Sequence, residues 1–404
     1  MKKAYERHAR LLLVASVLGL GSAGCGFLKN LVGRNVVDLE QADVKSMSVD
    51  IRKAQKTICP RERVQMAVFV EAKLDGEDQV AQFETFKGDE VRNQKLEFNW
   101  FAFHSEQGSF DADGWFTPNP DLTLTASQEF QLKTVYRKRP DQFSFDTTYK
   151  PDYSCISSAG ADGQFGSAGV SGNGGNQGES GQSNSDAPGG DGGDGQAGGD
   201  AGPGGNGGDG PRIEAYATYV KTAFYDKLVA VVVEGGVSDV LLFHPENQFT
   251  VFAAGGSGGP GGIGGMGGRG GRGGDGNPSG SGGRGGPGGR GGVGGNGGAG
   301  GNVVLHLDER FPELRNHFRV DVSGGAGGPG GAAGSGGDGG DPGSIRVSSG
   351  PDGTTPQGTE GARGAQGPQG SAGSPGNAGP AGNFDVRLEA LGAQFNGLNG
   401  VSVL

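Results

Sequence analysis

Glycine recurs in this chain with a period of three. From Gly255 to Gly276 the triplets run GGS-GGP-GGI-GGM-GGR-GGR-GGD, and after Asn277-Pro278-Ser279 the same density resumes as far as Gly301. That period belongs to neither an α-helix nor a strand. It belongs to the extended polyproline-II-type helix, which turns once every three residues and has no internal hydrogen bonds. Its backbone groups must therefore be met by water or by neighbouring helices. With 89 glycines among 404 residues, this requirement governs what the chain can fold into.

The glycine lies in three blocks, 160–210, 255–301 and 324–382, each broken near its middle. The breaks at 182–188, 277–279 and 344–357 are rich in Pro, Asn, Asp and Ser, which favour turns. Each block reads as two arms and a turn. The arms are 160–181, 189–210, 255–276, 280–301, 324–343 and 358–382, all 20 to 25 residues long. At ~3.1 Å rise per residue each spans roughly 60–80 Å. Matched lengths suit a bundle of antiparallel polyglycine-II helices that exchange backbone hydrogen bonds side by side. Each bond contributes only about 0.5–1.5 kcal/mol net, and glycine loses more entropy on ordering than any other residue. Such a bundle needs many bonds in one cooperative array. The first and last arms are of Gxx type, with one bare edge on a three-fold helix, and the four between are GGx, with two. The GGx arms are expected inside and the Gxx arms at the flanks.

Three readings of the glycine stand side by side. The last arm, GTE-GAR-GAQ-GPQ-GSA-GSP-GNA-GPA-G, resembles a collagen repeat, with Pro368, Pro375 and Pro380 at collagen-like positions. Against a triple helix, the GGx arms carry few imino acids, and a trimer has no use for turns inside each block. A flexible linker is the second reading. The third, a single-chain bundle, resembles the glycine-rich tips of phage adhesins, the snow-flea antifreeze protein and the glycine-rich region of anaplastic lymphoma kinase. That resemblance rests on period and covers about half the chain. Gly189–Asp194 and Gly204–Asp209 begin like a calcium-binding RTX nonapeptide, but they stand 15 residues apart and lack its aliphatic residue.

Residues 36–158 alternate as strands do. Met47, Val49 and Ile51 form one run, and Val64, Met66, Val68 and Val70 another. Leu96, Phe98, Trp100 and Ala102 follow, then Leu122 and Leu124, Phe130 and Leu132, and Phe143 and Phe145. Short strands at this spacing predict a β-sandwich. Tyr153-Ser154-Cys155 has the Y-x-C form of an immunoglobulin tyrosine corner, as an analogy only. Between the arms, 212–222 and 227–234 suit a hairpin. Strand–loop–strand pairs follow at 240–243 with 249–252, 303–307 with 318–322, and 384–388 with 401–404. The expected fold is mainly β: an N-terminal β-sandwich over 36–158, then, over 159–404, a β-sheet base carrying a bundle of six antiparallel polyglycine-II helices.

Residues 1–24 read as a signal peptide, with Lys2, Lys3, Arg7 and Arg10 before an apolar run from Leu11 to Leu20. Ser22-Ala23-Gly24-Cys25 resembles the bacterial lipobox. The resemblance implies lipidation at Cys25, a tether over 25–35 and, because Gly26 follows, an outer-membrane lipoprotein on the cell surface or the periplasmic face. Stable anchoring needs more than one acyl chain, which such a cysteine carries. Without lipidation the chain would be secreted. Cys59 and Cys155 then form an even pair, expected as a disulfide that pins the domain where glycine-rich sequence begins. The net charge is −11, and loss of residues 1–24 removes a net three positive charges, to about −14. That argues against nucleic acid as a partner.

No catalytic constellation stands out. His104, His244, His306 and His317 lack ligand spacing, and neither G-x-S-x-G nor H-E-x-x-H occurs. No metal or cofactor is expected. The charges on the arms are uneven. The first block carries Asp162, Glu179, Asp186, Asp191, Asp194, Asp200 and Asp209 without a base, and the second Arg269, Arg272, Arg284 and Arg290 against Asp275. Residues three apart share an edge, so these are an acidic and a basic stripe. The four arginines are candidate ligands for an acidic surface polysaccharide, weighed against solvated faces with weak pairing. The turns, above all 344–357, are candidate specificity loops. The function expected is a non-enzymatic surface lipoprotein, an adhesion or matrix protein, anchored to the membrane and binding polysaccharide or another surface protein. The alternative is a purely structural envelope spacer or a collagen-like trimeric stalk.

Overall fold

The computed structural model describes residues 36–85, 96–347 and 357–404. The signal segment, Cys25, the tether and most of the third turn lie outside the described residues. The chain is mainly β, in several sheets, and divides into two compact units. One comprises the described residues up to Lys56 with Arg63–Thr117 and Gln131–Tyr149. The other comprises Thr57–Glu62, Pro118–Phe130 and Lys150–Leu404.

The stretch to Pro151 carries β1 (Asp43–Ile51), β2 (Thr57–Ile58), β3 (Val64–Lys73), β4 (Ala81–Glu84), β5 (Phe101–His104), β6 (Gly108–Phe110), β7 (Trp115–Pro118), β8 (Phe130–Tyr136) and β9 (Ser144–Pro151). In the first unit β3 pairs antiparallel with β1, β4 and β7, and β5 with β8. Val44, Met47, Val68, Val70 and Phe83 meet Phe101 and Tyr136 in one core. Met47 and Ile51 are buried as their alternation predicts. Two runs that alternate are not strands: Phe98–Trp100 and Leu122–Leu124 are single 3-10 turns. At the second, the Asn119 carboxamide accepts the Asp121 N–H and the Asp121 carbonyl accepts the Leu124 N–H. These local bonds win over a ladder for so short a run.

The rest of the chain carries β10 (Ser158–Gly160), β11 (Ile213–Lys221), β12 (Leu228–Gly235), β13 (Asp239–Phe243), β14 (Phe249–Phe252), β15 (Val303–Asp308), β16 (Phe318–Asp321), β17 (Phe384–Glu389) and β18 (Ser402–Val403). β10, β14 and β16 form one parallel sheet. β11, β15 and β17 run parallel in another, which β12, β13 and β18 extend antiparallel. Phe249, Val251 and Phe318 of the first sheet meet Ile213, Ala215, Val231, Leu305 and Leu307 of the second in one core. Burying a side chain of Val, Leu or Phe size stabilises by about 1.5–3 kcal/mol, so this apolar base is a firm platform. Cys59 belongs to the same core and is disulfide-bonded to Cys155, with the Cα atoms 6.2 Å apart.

Each parallel strand continues directly into a glycine arm or out of one. Arms A (160–181), C (255–276) and E (324–343) leave β10, β14 and β16. Arms B (189–210), D (280–301) and F (358–382) return into β11, β15 and β17. The arms are neither helix nor strand, yet they bond one another at every third residue. From Gly163 to Gly181, arm A donates to arm C in the same direction, Gly163 to Ala254 and Gly181 to Arg272, with N···O distances of 2.7–2.8 Å. C bonds E, B bonds D and D bonds F in the same sense. B to A, C to B, D to C, E to D and F to E run the opposite way, as from Gly190 to Gln182 and from Gly208 to Gln164. The bonding is thus parallel within two layers, A–C–E and B–D–F, and antiparallel between them, rather than antiparallel throughout. A and F each bond two neighbours, B and E three, C and D four.

The sheets set the register of the arms. Ala159 lies opposite Val251, and the same offset of 92 joins Ser183 to Asp275 at the far end of arms A and C. The offset of 90 between Ile213 and Val303 persists to Asp191 and Ser281. The offset of 81 between Val303 and Phe384 persists to Ser281 and Ala362. The offset of 69 between Phe249 and Phe318 persists to Asp275 and Ser344.

Candidate functional site

The arms present two faces, and the hydrogen bonds define them. Arm C is bonded on four sides and left free on the side away from B and D. Arm D is left free on the side away from C and E. Pro260, Ile263, Met266, Arg269 and Arg272 are therefore exposed on the A–C–E face, and Arg284, Pro287, Arg290 and Val293 on the B–D–F face.

This arrangement separates the four candidate arginines into two pairs. On the A–C–E face, Arg269 bonds Asp341 at 2.7 Å, and Arg272 bonds Asp275 at 2.9 Å and the Ser344 hydroxyl at 3.0 Å. Arg346 reaches Asp275 at 3.1 Å and Arg363 reaches Asp341 at 3.4 Å. The Ser344 N–H, and then Arg346, hold the Asp275 carboxyl below its ordinary range. These charges neutralise one another where the arms reach their turns. On the B–D–F face, Arg284 and Arg290 make no ion pair among the described residues. Their backbone N–H groups donate to Asp194 and Asp200 at 2.7 Å.

The acidic stripe has a structural role that composition alone does not reveal. Asp191, Asp194, Asp200, Asn206 and Asp209 of arm B accept the outward N–H groups of Ser281, Arg284, Arg290, Asn296 and Ala299 of arm D at 2.7–2.9 Å. In arms B, C and D two N–H groups of a GGx triplet are met by neighbouring carbonyls, and the third points outward. At these five positions of arm D a short Asp or Asn on arm B meets it. Asn296 in turn accepts the Asn377 N–H of arm F at 2.8 Å, so Asn206, Asn296 and Asn377 form a row across the face. The signal in the sequence was an Asp or Asn 90 residues before its partner, invisible until the offset is known.

Among the described residues the histidines do not gather. His317 shares a 2.8 Å hydrogen bond with the Tyr219 hydroxyl, and burial pushes its pKa down. His306 is buried and stacks on Tyr216 with ring centres 4.5 Å apart, its Nδ1 lying 3.1 Å from a Glu389 oxygen. Tyr153 of the Y-x-C motif is buried beside the Thr125 hydroxyl, and burial pushes its pKa up to about 12. Among the described residues, the one group of His, Cys, Asp and Glu close enough to share a metal ion is Cys59, Glu62 and Cys155. Its two sulfurs are already joined to each other. No protein-family model matches the chain, and neither a curated protein nor a solved structure matches it.

Proposed function

We propose that the chain is a non-enzymatic cell-surface lipoprotein whose six arms form a polyglycine-II bundle, a stiff scaffold for adhesion to surface polysaccharide or to another surface protein. The observation that carries this reading is the hydrogen bond repeated at every third residue across all six arms, in register with two buried sheets. A flexible linker has no such partners, and a collagen trimer would draw its partners from other chains. Interlocked backbone bonds make a surface whose side chains keep fixed spacings, which suits repeated contact with a polymer. Arg284 and Arg290, exposed on the B–D–F face and without ion pairs among the described residues, are the preferred contacts for an acidic polysaccharide. Cys25 is the proposed lipidation site and would tie the chain to the outer membrane.

Retention of purified residues 26–404 on an immobilised acidic polysaccharide tests the reading. Substituting Arg284 and Arg290 together by Ala should reduce retention several-fold, and substituting Arg269 and Arg272 should change it little. Failure of the intact protein to bind, together with unchanged adhesion by cells lacking it, removes the adhesin reading. An envelope spacer would then remain. That second reading is favoured by one observation: the carboxylates of Asp191, Asp194, Asp200 and Asp209 are committed to neighbouring backbone.

A further inference from the structure

The hydrogen-bond lattice of the arms has no intrinsic width. Gly258, Gly261, Gly264, Gly267 and Gly270 of arm C donate to arm E. The equivalent N–H groups of arm E, those of Gly324, Gly327, Gly330, Gly336 and Gly339, have no acceptor among the described residues. They form a row of donors aimed at the place of a seventh arm. A second copy of this chain carries arms of the same period and length, so it is the partner whose geometry fits that row.

Arm F stands beside this place, and it has a side chain where arm D has one of the two glycines of each triplet. In arm D the residue before each inward-bonding glycine is itself glycine, as in Gly282-Gly283 and Gly285-Gly286. A Cβ on Gly285 would point between the next two arms, 1.8 Å from the Gly337 carbonyl oxygen and 2.9 Å from the Gly367 nitrogen. In arm F the same position is taken by Arg363, Gln366, Gln369, Ala372, Pro375 and Ala378. Their side chains point by the same geometry into the seventh place, and all six residues are exposed. Arg363 reaches back to Asp341 of arm E, as that direction requires. Arm A mirrors this at the other end. A Cβ on Gly259 of arm C would point at arm A, 2.0 Å from the Ser167 carbonyl oxygen. Arm A bears Gln164, Ser167, Val170 and Asn173 at the equivalent position, facing outward from the lattice, and Val170 is 78% exposed. Below arm F the edge strand β17 carries Asp385, Arg387 and Glu389, the charged side chains that discourage strands from pairing edge to edge.

We infer that the two Gxx arms are terminators, whose second side chain per triplet closes the lattice at six arms and keeps copies of this chain from joining laterally. This rests on the polyglycine-II reading of the arms. The test is a variant of residues 26–404, disulfide intact, with Arg363, Gln366, Gln369, Ala372, Pro375 and Ala378 all replaced by Gly. Sedimentation should show the parent as a monomer at every concentration and the variant at least doubling in mass as concentration rises. Glycine replacements at the outward positions Ala362, Ala365, Pro368, Ser371 and Ser374 should leave a monomer. In the parent, amide exchange at Gly327, Gly330 and Gly336 should be at least 10-fold faster than at Gly328, Gly331 and Gly337, which bond arm D. A monomeric variant with slow exchange retained in arms C to E overturns the terminator role and leaves the bundle standing. So does association of the outward control. Equal protection of the two glycine sets in the monomeric parent also overturns it, whether or not the variant folds. Fast exchange throughout the parent's arms overturns the bundle itself.

Discussion

Replacing Gly289 by Ala should destabilise the glycine-rich unit by about 2–5 kcal/mol, whereas Gly174→Ala should leave it unchanged or slightly more stable. Gly289 lies in arm D, donating to the Gly265 carbonyl at 2.8 Å and accepting the Gly334 N–H at 2.9 Å. A Cβ there would sit 2.0 Å from the Gly199 carbonyl oxygen and must push it out to about 3.4 Å. That oxygen already accepts the Gly265 N–H at 2.9 Å, so the displacement breaks a bond between arms B and C. Losing one or two such bonds contributes about 0.5–1.5 kcal/mol each, and a donor left unmet in the interior costs about 1–3 kcal/mol. Gly174 is an outward position of arm A, where the nearest atom to an added Cβ is the Met266 carbonyl oxygen at 3.9 Å. There Ala acts mainly by restricting the unfolded chain, a gain of about 0.4–1 kcal/mol. Guanidinium unfolding of both variants, followed by far-ultraviolet circular dichroism and glycine amide exchange, measures the difference. Equal effects at the two sites would refute the lattice as the source of stability.

Reducing the Cys59–Cys155 bond, or replacing both cysteines by Ser, should lower the stability of the glycine-rich unit by about 4 kcal/mol, because the bond closes a loop with a sequence separation of 96. Equal denaturation midpoints with and without reductant would contradict this. Asp308 is buried, accepts a 2.7 Å hydrogen bond from Thr218 and pairs with Arg310 at 2.6 Å, and the Arg310 bond chiefly holds its carboxyl below the ordinary range. The unfolded state takes up this proton first. The stabilisation is therefore complete above pH ~4 and is lost as pH falls through the depressed folded value. Asp308→Asn should remove about 1–3 kcal/mol near neutral pH and flatten stability below pH 4; an unchanged acid limb would count against it.

Much of the architecture could be read in the residues. The alternation of Phe249 and Val251 marks a strand that buries one face. The turn residues at 182–188 and 277–279 mark where the first two blocks reverse. The contrast between GGx and Gxx anticipates which arms have many neighbours, because a bare edge is what a neighbouring backbone needs. Which of the four arginines share a face was not legible. Arg269 and Arg272 share an arm with one another, as do Arg284 and Arg290, but which face each arm turns outward depends on its neighbours. The same holds for the Asp residues of the first block: spacing marks them as a stripe, and only their partners on arm D make them acceptors. The alternation at Leu122 and Leu124 misled because the Asn119 and Asp121 bonds are local and outweigh a run of three.

By itself, then, the sequence determined the number and length of the arms. A glycine at every third position leaves an edge of the backbone bare, and turn residues limit each stretch. It left open which arms are neighbours and in which sense they run, since a period of three is satisfied equally by a slip of three, six or nine residues. Only the tertiary structure chose. The strand pairings Ala159 with Val251, Ile213 with Val303, Val303 with Phe384 and Phe249 with Phe318 fix one offset for each pair of arms. They do so because a strand that slips turns its buried side chains away from the core, while a slipped glycine arm meets another glycine.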